Sequence, residues 1–294
     1  MSRGGRPSGG ARHGVAAHPS APAVVKLRVR YAKRGPGRFA SHRDVARAME
    51  WALRRAGVPV ALSHGYNPHP KLSWIGAAPT GSASEAEYLE IGITTPVDAR
   101  AAATEIDRAL PAGLGVVDVV AIEVGAGGHD GPALADLVEA SRWRIELPGV
   151  EPEALADAVT ALRAAGSVEV ERVMKNGPRM LDVGAALVDL RVEPPTAPSP
   201  EEVSSGRGDA ARSAVCGTLS AVVRHTTPAV RPDDVLGALR TVAGLVPPVP
   251  AKATRTAQGR LDADGELLDP LETDRHVPGR QAATMRDAVE DRPV

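Results

Sequence analysis

Two hydrophobic periods follow one another near the start of the ordered sequence, and their order restricts the fold more than any other feature. In KLRVRYAK, residues 26 to 33, Leu27, Val29 and Tyr31 alternate with Lys26, Arg28 and Arg30. That period of two belongs to a half-buried strand with one basic face. Past the glycine-proline turn GPGRF the period changes. Val45, Ala48, Met49, Ala52, Leu53 and Ala56 recur at helical spacing, with Ser41 placed to cap, Asp44 three residues on, and Gly57 and Pro59 to stop the helix.

The same grammar continues. VPVAL and AEYLEIGI read as strands, PVDARAAATEIDRALPAG as a second helix and LGVVDVVAIEV as a further strand. The order is βαββαβ, the split-βαβ or ferredoxin-like plan. RWRIEL, EPEALADAVTALRAAG, SVEVERVM, RMLDVGAALVDLRV, SAVCGTLSAVVRH and RPDDVLGALRTVAG then repeat strand and helix patterns in a divergent second round.

The expected fold is therefore α+β, with two ferredoxin-like (split βαβ) units whose antiparallel sheets carry helices on one face. The units span 26–124 and 141–269, joined by a linker at 125–140. A basic tail at 1–25, a Pro- and Ser-rich insertion at 193–210 and a tail at 270–294 are expected to be disordered. The uncovered sheet face would be free for a ligand.

Seven aromatic residues in 294 leave the core to Val, Leu, Ile and Ala. No apolar run approaches the roughly 20 residues of a membrane span, and the Arg-containing N-terminus lacks the apolar segment of a secretory signal. A single cysteine, Cys216, excludes an intramolecular disulfide framework and fits a reducing, cytoplasmic setting.

Charge is distributed unevenly. Residues 1–77 hold fourteen Lys or Arg against two acids, Asp44 and Glu50, within a chain of net charge −1. A basic N-terminal part attracts phosphate-rich partners more than the total suggests. Arg43, Arg47, Glu50 and Arg54 fall on the helix stripe opposite the apolar one.

The segment SHGYNPHPKLSW, residues 63–74, concentrates the reactive side chains. His64 and His69, with His42, are the candidates for acid/base chemistry on an RNA 2′-hydroxyl beside a cation such as Lys71. They do not make a metal motif, because Pro68 and Pro70 hold the backbone around His69 extended and neither a cysteine pair nor an HExxH helix is present. Neither a metal nor a cofactor is expected.

Recognition without bond breaking is the other use of these residues. Tyr66, Trp74 and Phe39 offer stacking surfaces, Asn67 and His69 polar contacts in the same loop, and Arg28, Arg30, Arg38, Arg43, Arg47 and Lys71 phosphate contacts. Basic residues interleaved with aromatics suit single-stranded RNA. No RGFGFVxF-type segment marks an ordinary RNA-recognition motif.

The run RFASHRDVARAMEWALRRAGVPVALSHGYNPHPKLSWIGAAPTGSASEAEYLEI, with its F-x-SH-x-D and G-Y-NPHPK-x-S pair, resembles the radical-SAM-linked domain of unknown function, a bacterial family. KNGPRMLDV looks like a second signature of that family, matching at Lys175, Gly177, Arg179 and Asp182; Trp74 stands where the family has phenylalanine. The resemblance implies an accessory protein that partners a separate radical SAM enzyme. Cys216 alone does not supply the three cysteines that such an enzyme's cluster requires.

The expectation is an accessory protein that binds RNA or presents a substrate to that enzyme, with Lys175 and Arg179 added to its ligand surface. The alternatives are a metal-independent RNA-processing enzyme using histidine acid/base chemistry and a purely structural protein-interaction module.

Overall fold

The computed structural model describes residues 21–64, 66–124, 131–194, 215–275 and the backbone of 281–284. The first half runs β1 (Val25–Lys33), α1 (His42–Arg55), β2 (Leu72–Ile75), β3 (Ala83–Ile93), α2 (Ala99–Ala109) and β4 (Leu114–Glu123). Its strands lie in the order β4-β1-β3-β2, every neighbour antiparallel. Leu27, Val29 and Tyr31 of β1 and Leu89, Ile91 and Ile93 of β3 point to one face, where Val45, Met49 and Leu53 of α1 and Ala103 and Ile106 of α2 close over them. Ser41 caps α1 in a capping box with Asp44, which satisfies two of the backbone donors that a helix start leaves open.

The second half comprises β5 (Ala140–Pro148), α3 (Pro152–Ala165), a hairpin of β6 (Glu169–Met174) and β7 (Gly177–Asp182), the single turn α4 (Val183–Ala186), β8 (Leu187–Glu193), β9 (Cys216–Arg224), α5 (Pro232–Ala243) and β10 (Lys252–Leu261). The main strands lie in the order β10-β5-β9-β8, again antiparallel. α3 and α5 cover Trp143, Ile145, Leu147, Leu219 and Ala221.

The halves meet where β3 and β10 pair in parallel through Ala83–Thr254 and Ser84–Arg255. The result is a mixed α+β fold with one ten-stranded, mostly antiparallel sheet, completed by β11 (Leu267–Leu268) on β10 and β12 (Gln281–Thr284) on β4. Among the described residues, no helix is long and apolar enough to cross a membrane.

Several expectations change. VPVAL makes only isolated bridges, Val60 to Ile93 and Leu62 to Pro70, and the second strand is β2, at the end of the histidine-containing segment. KATRTAQGRL, read as no element, is β10. RMLDVGAALVDLRV is not one strand: Asp182 accepts from Ala185 N at 3.0 Å and Val168 N at 3.2 Å, starting α4 and setting β6 and β7 apart as their own two-stranded sheet. The stretch from 131 is more than a linker, and the chain beyond 270 is more than a tail. Leu134 and Leu271, the latter in α6 (Pro270–Arg275), are buried against Ala86, Tyr88, Val120 and Ile122. Those contacts cover the sheet face that the sequence left open for a ligand. Of the insertion expected at 193–210, Glu193 ends β8 and Pro194 follows it; residues 195–214, like 1–20, 65, 125–130, 276–280 and 285–294, lie outside the described residues.

Candidate functional site

Arg28 and Arg30, expected as phosphate contacts on the basic face of β1, lie on that covered side. Arg28 is 4% exposed; its guanidinium donates to Glu90 at 3.1 Å, to Asp274 of α6 at 2.8 Å and to the Pro132 carbonyl at 2.8 Å. Arg30 donates to Asp269 at 3.0 Å and to the Glu85 carbonyl at 2.8 Å. Both charges are consumed by folding, so neither contributes to a phosphate surface.

The cations of α1 differ. Arg43, Arg47, Trp51 and Arg55 follow one another at intervals of four and therefore form one row on the exposed side of the helix, with Arg54 beside it. None of Arg43, Arg47, Arg54 and Arg55 has a salt-bridge partner among the described residues. Asp44 is turned back to cap Ser41; the hydrogen bonds from the Ser41 side chain and backbone, helped by Arg47 and Arg43, hold its carboxyl below the usual range. Trp51 is 51% exposed, and the Arg55 guanidinium lies 5.3 Å from its ring centroid. The indole is thus an exposed ring in a row of cations, one of which, Arg55, lies over its face.

The 63–71 loop folds back beside this row. Ser63 N donates to the His69 carbonyl at 2.7 Å, His69 N to Ser63 Oγ at 3.0 Å, and Lys71 N to the Ala61 carbonyl at 2.8 Å, so the loop is tied at its base. His64, Tyr66, Asn67, His69 and Lys71 project outward, Tyr66 with 81% exposure. His69 and Pro68 share a cavity of about 270 Å³ with Glu50, Leu53 and Arg54 of α1, which makes loop and helix one surface.

Trp74 faces inward. It meets Tyr31 edge-on at 6.0 Å and His42 at 5.2 Å between ring centroids, and packs on the core; it braces the start of α1 instead of offering a free stacking plate. Phe39 is 61% exposed, with the Arg38 guanidinium 4.5 Å over its ring. The Gly-Pro turn that presents them is fixed by the close approach of Gly37 to the Gly113 backbone. His42, His64 and His69 do not gather; among the described residues no three His, Cys, Asp or Glu side chains form a metal-binding group. Lys175 and Arg179 are exposed on the β6–β7 hairpin of the other half, where Arg172 anchors the hairpin to Asp234 of α5 at 2.6 Å.

The sequence reading missed a second cluster, buried at the seam between the halves. Arg255 of β10 donates to the Glu87 carboxylate and to Ser84 Oγ at 3.4 Å, and lies over Trp143 at 5.5 Å. Glu87 also accepts from Ala78 N at 3.1 Å, and Lys33 Nζ donates to the Ala78 carbonyl at 3.3 Å. Burial pushes the Tyr31 phenol up, with the Glu87 charge adding to it, and pulls the Lys33 ammonium down. A cavity of about 270 Å³ opens above Arg255 and Trp143, bounded by Gly76 and Pro79 on one side and by His225 and Arg231 on the other. Its residues come from separate segments and share no spacing; Trp51, by contrast, stood in plain view four residues after Arg47.

The sequence pattern of a family described as an uncharacterized protein conserved in bacteria (DUF2344) matches residues 26–232. No curated protein matches. Among solved structures, the chain is similar to an arginine-to-leucine variant of DypB from Rhodococcus jostii RHA1 in complex with heme, at 13% identity and a TM-score of 0.22 over 74% of this chain and 84% of that one. An aspartate-to-alanine variant of the same protein with heme aligns at 12% identity and a TM-score of 0.22, over 90% and 91% of the two chains. Similarity at that level carries nothing about ligand or activity.

Proposed function

The chain belongs to the bacterial family DUF2344, and we propose that it is a cytoplasmic accessory protein that binds single-stranded RNA on the outer face of α1 and the 63–71 loop. The observation that supports this most is the row Arg43–Arg47–Trp51–Arg55: three cations without salt-bridge partners among the described residues, with an exposed indole among them. Arginine contributes phosphate attraction, and an aromatic plate contributes base stacking of about 1–3 kcal/mol per base. Tyr66, Lys71, Asn67 and His69 extend the surface, and Arg38 with Phe39 is a further cation–aromatic pair.

The resemblance of the SHRD and GYNPHPKLS motifs to radical-SAM-linked proteins supports the finer reading that the RNA is presented to a separate radical SAM enzyme. The matching strand orders β4-β1-β3-β2 and β10-β5-β9-β8 support a pair of ferredoxin-like units as the scaffold. Histidine-based RNA cleavage has less support, because His42 packs on Trp74 away from the loop histidines.

The test is fluorescence anisotropy with a single-stranded RNA across a salt series. R43A/R47A/R55A is expected to weaken binding and reduce the log–log salt slope by about 2, at roughly 0.7 per phosphate contact on a single strand. W51A is expected to lose affinity by about 1–3 kcal/mol while keeping the slope. Binding that is absent in the native protein, or unchanged in both variants, overturns the reading. Recovery of an iron–sulfur protein with tagged native chain, lost with neither variant, would place the partner surface elsewhere on the fold.

A further inference from the structure

We propose that Ser141 and His225, in the seam cavity, form a nucleophile–base pair that accepts the acyl group of a small ester carrying a negative charge. Ser141 projects from β5 on the same face as Trp143, and His225 follows the last residue of β9. Their Oγ and Nε2 atoms are 2.7 Å apart, within reach for direct proton transfer. Gln258, the neighbour across from Ser141, lies farther from Oγ, at 3.4 Å, and spends its amide N–H on the Ala86 carbonyl.

The imidazole is oriented for the role of base. In the tautomer whose Nε2 carries the lone pair, that atom accepts the Ser141 hydroxyl proton across 2.7 Å. Desolvation of the ring, followed by the Arg255 charge, holds His225 below the usual histidine range and keeps it unprotonated at neutral pH.

The cavity indicates the substrate class. Its volume of about 270 Å³ admits a small molecule, and its lining includes Trp143 and Arg231, the latter without a salt-bridge partner among the described residues. Gly76 brings backbone close overhead: a Cβ there would come within 2.8 Å of Gln258 Oε1. An ester whose carboxylate or phosphate faces Arg231 fits these walls.

In the acylation step, Ser141 Oγ bonds to the ester carbonyl carbon and its proton passes to Nε2. When the tetrahedral adduct collapses, the bond from carbonyl carbon to leaving oxygen breaks and that oxygen takes the proton from Nε2. Water then repeats the sequence on the acyl-serine, returning Ser141 and releasing the acid.

An alkyl fluorophosphonate tests the pair without knowledge of the substrate, since Oγ–P bond formation expels fluoride and leaves a permanent mass increase. The full chain is expected to gain one adduct, mapped by peptide mass spectrometry to Ser141 and absent from S141A. H225Q, a change at the cavity mouth, is expected to slow labelling by about 10²–10⁴-fold, the usual worth of a positioned base, while its circular dichroism matches that of the native protein. No adduct on native protein, an adduct on another residue, or undiminished labelling of folded H225Q overturns the proposal. The α1 variants that test RNA binding should label at the native rate, so the two readings fail independently.

Discussion

Neutralising Glu87 should damage the protein more than any single change on α1, because the charge it leaves behind has nowhere to go. The side chains of Arg255 and Glu87 are 4% and 1% exposed, and once the carboxylate is gone the guanidinium retains, among the described residues, Ser84 Oγ at 3.4 Å and the face of Trp143. Breaking a buried pair from one side costs about 3–5 kcal/mol. Glu87→Ala belongs at the upper end, since it also takes the acceptor from Ala78 N; Glu87→Gln keeps an oxygen there and belongs near the lower end. With a urea m-value of about 3 kcal/mol/M, a loss of about 4 kcal/mol lowers the unfolding midpoint by roughly 1.3 M.

Replacing both partners, as in E87L/R255M, removes two desolvated charges and should bring the loss down to the roughly 1–3 kcal/mol expected for the Ala78 N–H left without its acceptor. The two single variants and the double variant, measured together by urea unfolding followed by circular dichroism, form a thermodynamic cycle. Single variants that lose less than about 1 kcal/mol, or a double variant no better than the singles, would refute the claim that the seam is held by a paired charge.

Two further outcomes follow from the geometry. Gly37→Ala would place a Cβ 2.3 Å from the Gly113 carbonyl oxygen, so the turn carrying Phe39 must shift; a stability loss of about 1–3 kcal/mol is expected in thermal unfolding, and a change under about 0.5 kcal/mol would mean the two backbones separate freely. Asp182 is held below the usual carboxylate range first by the Ala185 backbone N–H and then by the Ser167 hydroxyl. A depressed folded pKa stabilises above the unfolded value, near 3.9, and the contribution fades as the pH falls through the folded value. The stability gap between native protein and Asp182→Asn should therefore be widest above about pH 4 and close in acid; a gap independent of pH would show that the charge plays no part.

Arginine shows most clearly which parts of this molecule the sequence could disclose. On α1, exposure follows from the helical period alone: Val45, Met49, Ala52 and Leu53 fix the buried side, so Arg43, Arg47 and Arg54 must face water, and they do. On β1 the period of two also separates Leu27, Val29 and Tyr31 from Arg28 and Arg30 correctly, but it does not say what lies on the second face. That depended on Asp274 and Asp269, separated from their partners by 246 and 239 positions, the first inside and the second at the edge of a stretch whose composition suggested a tail.

The same distance hid β10, whose inward positions at the seam carry Arg255 and Gln258 where an apolar alternation would have announced a strand. Local pattern thus identifies a surface when one element builds it, as α1 and the tied 63–71 loop do. It is silent where a site is assembled across the junction of two halves, as Ser141, His225, Arg255 and Glu87 are. A strand bearing buried charge can exist only where another segment brings the opposite charge or a hydrogen-bonding wall to meet it. Polar strand-length segments such as KATRTAQGRL are therefore where a junction between two repeated units should be sought, and the cavity above Arg255 lies at such a junction.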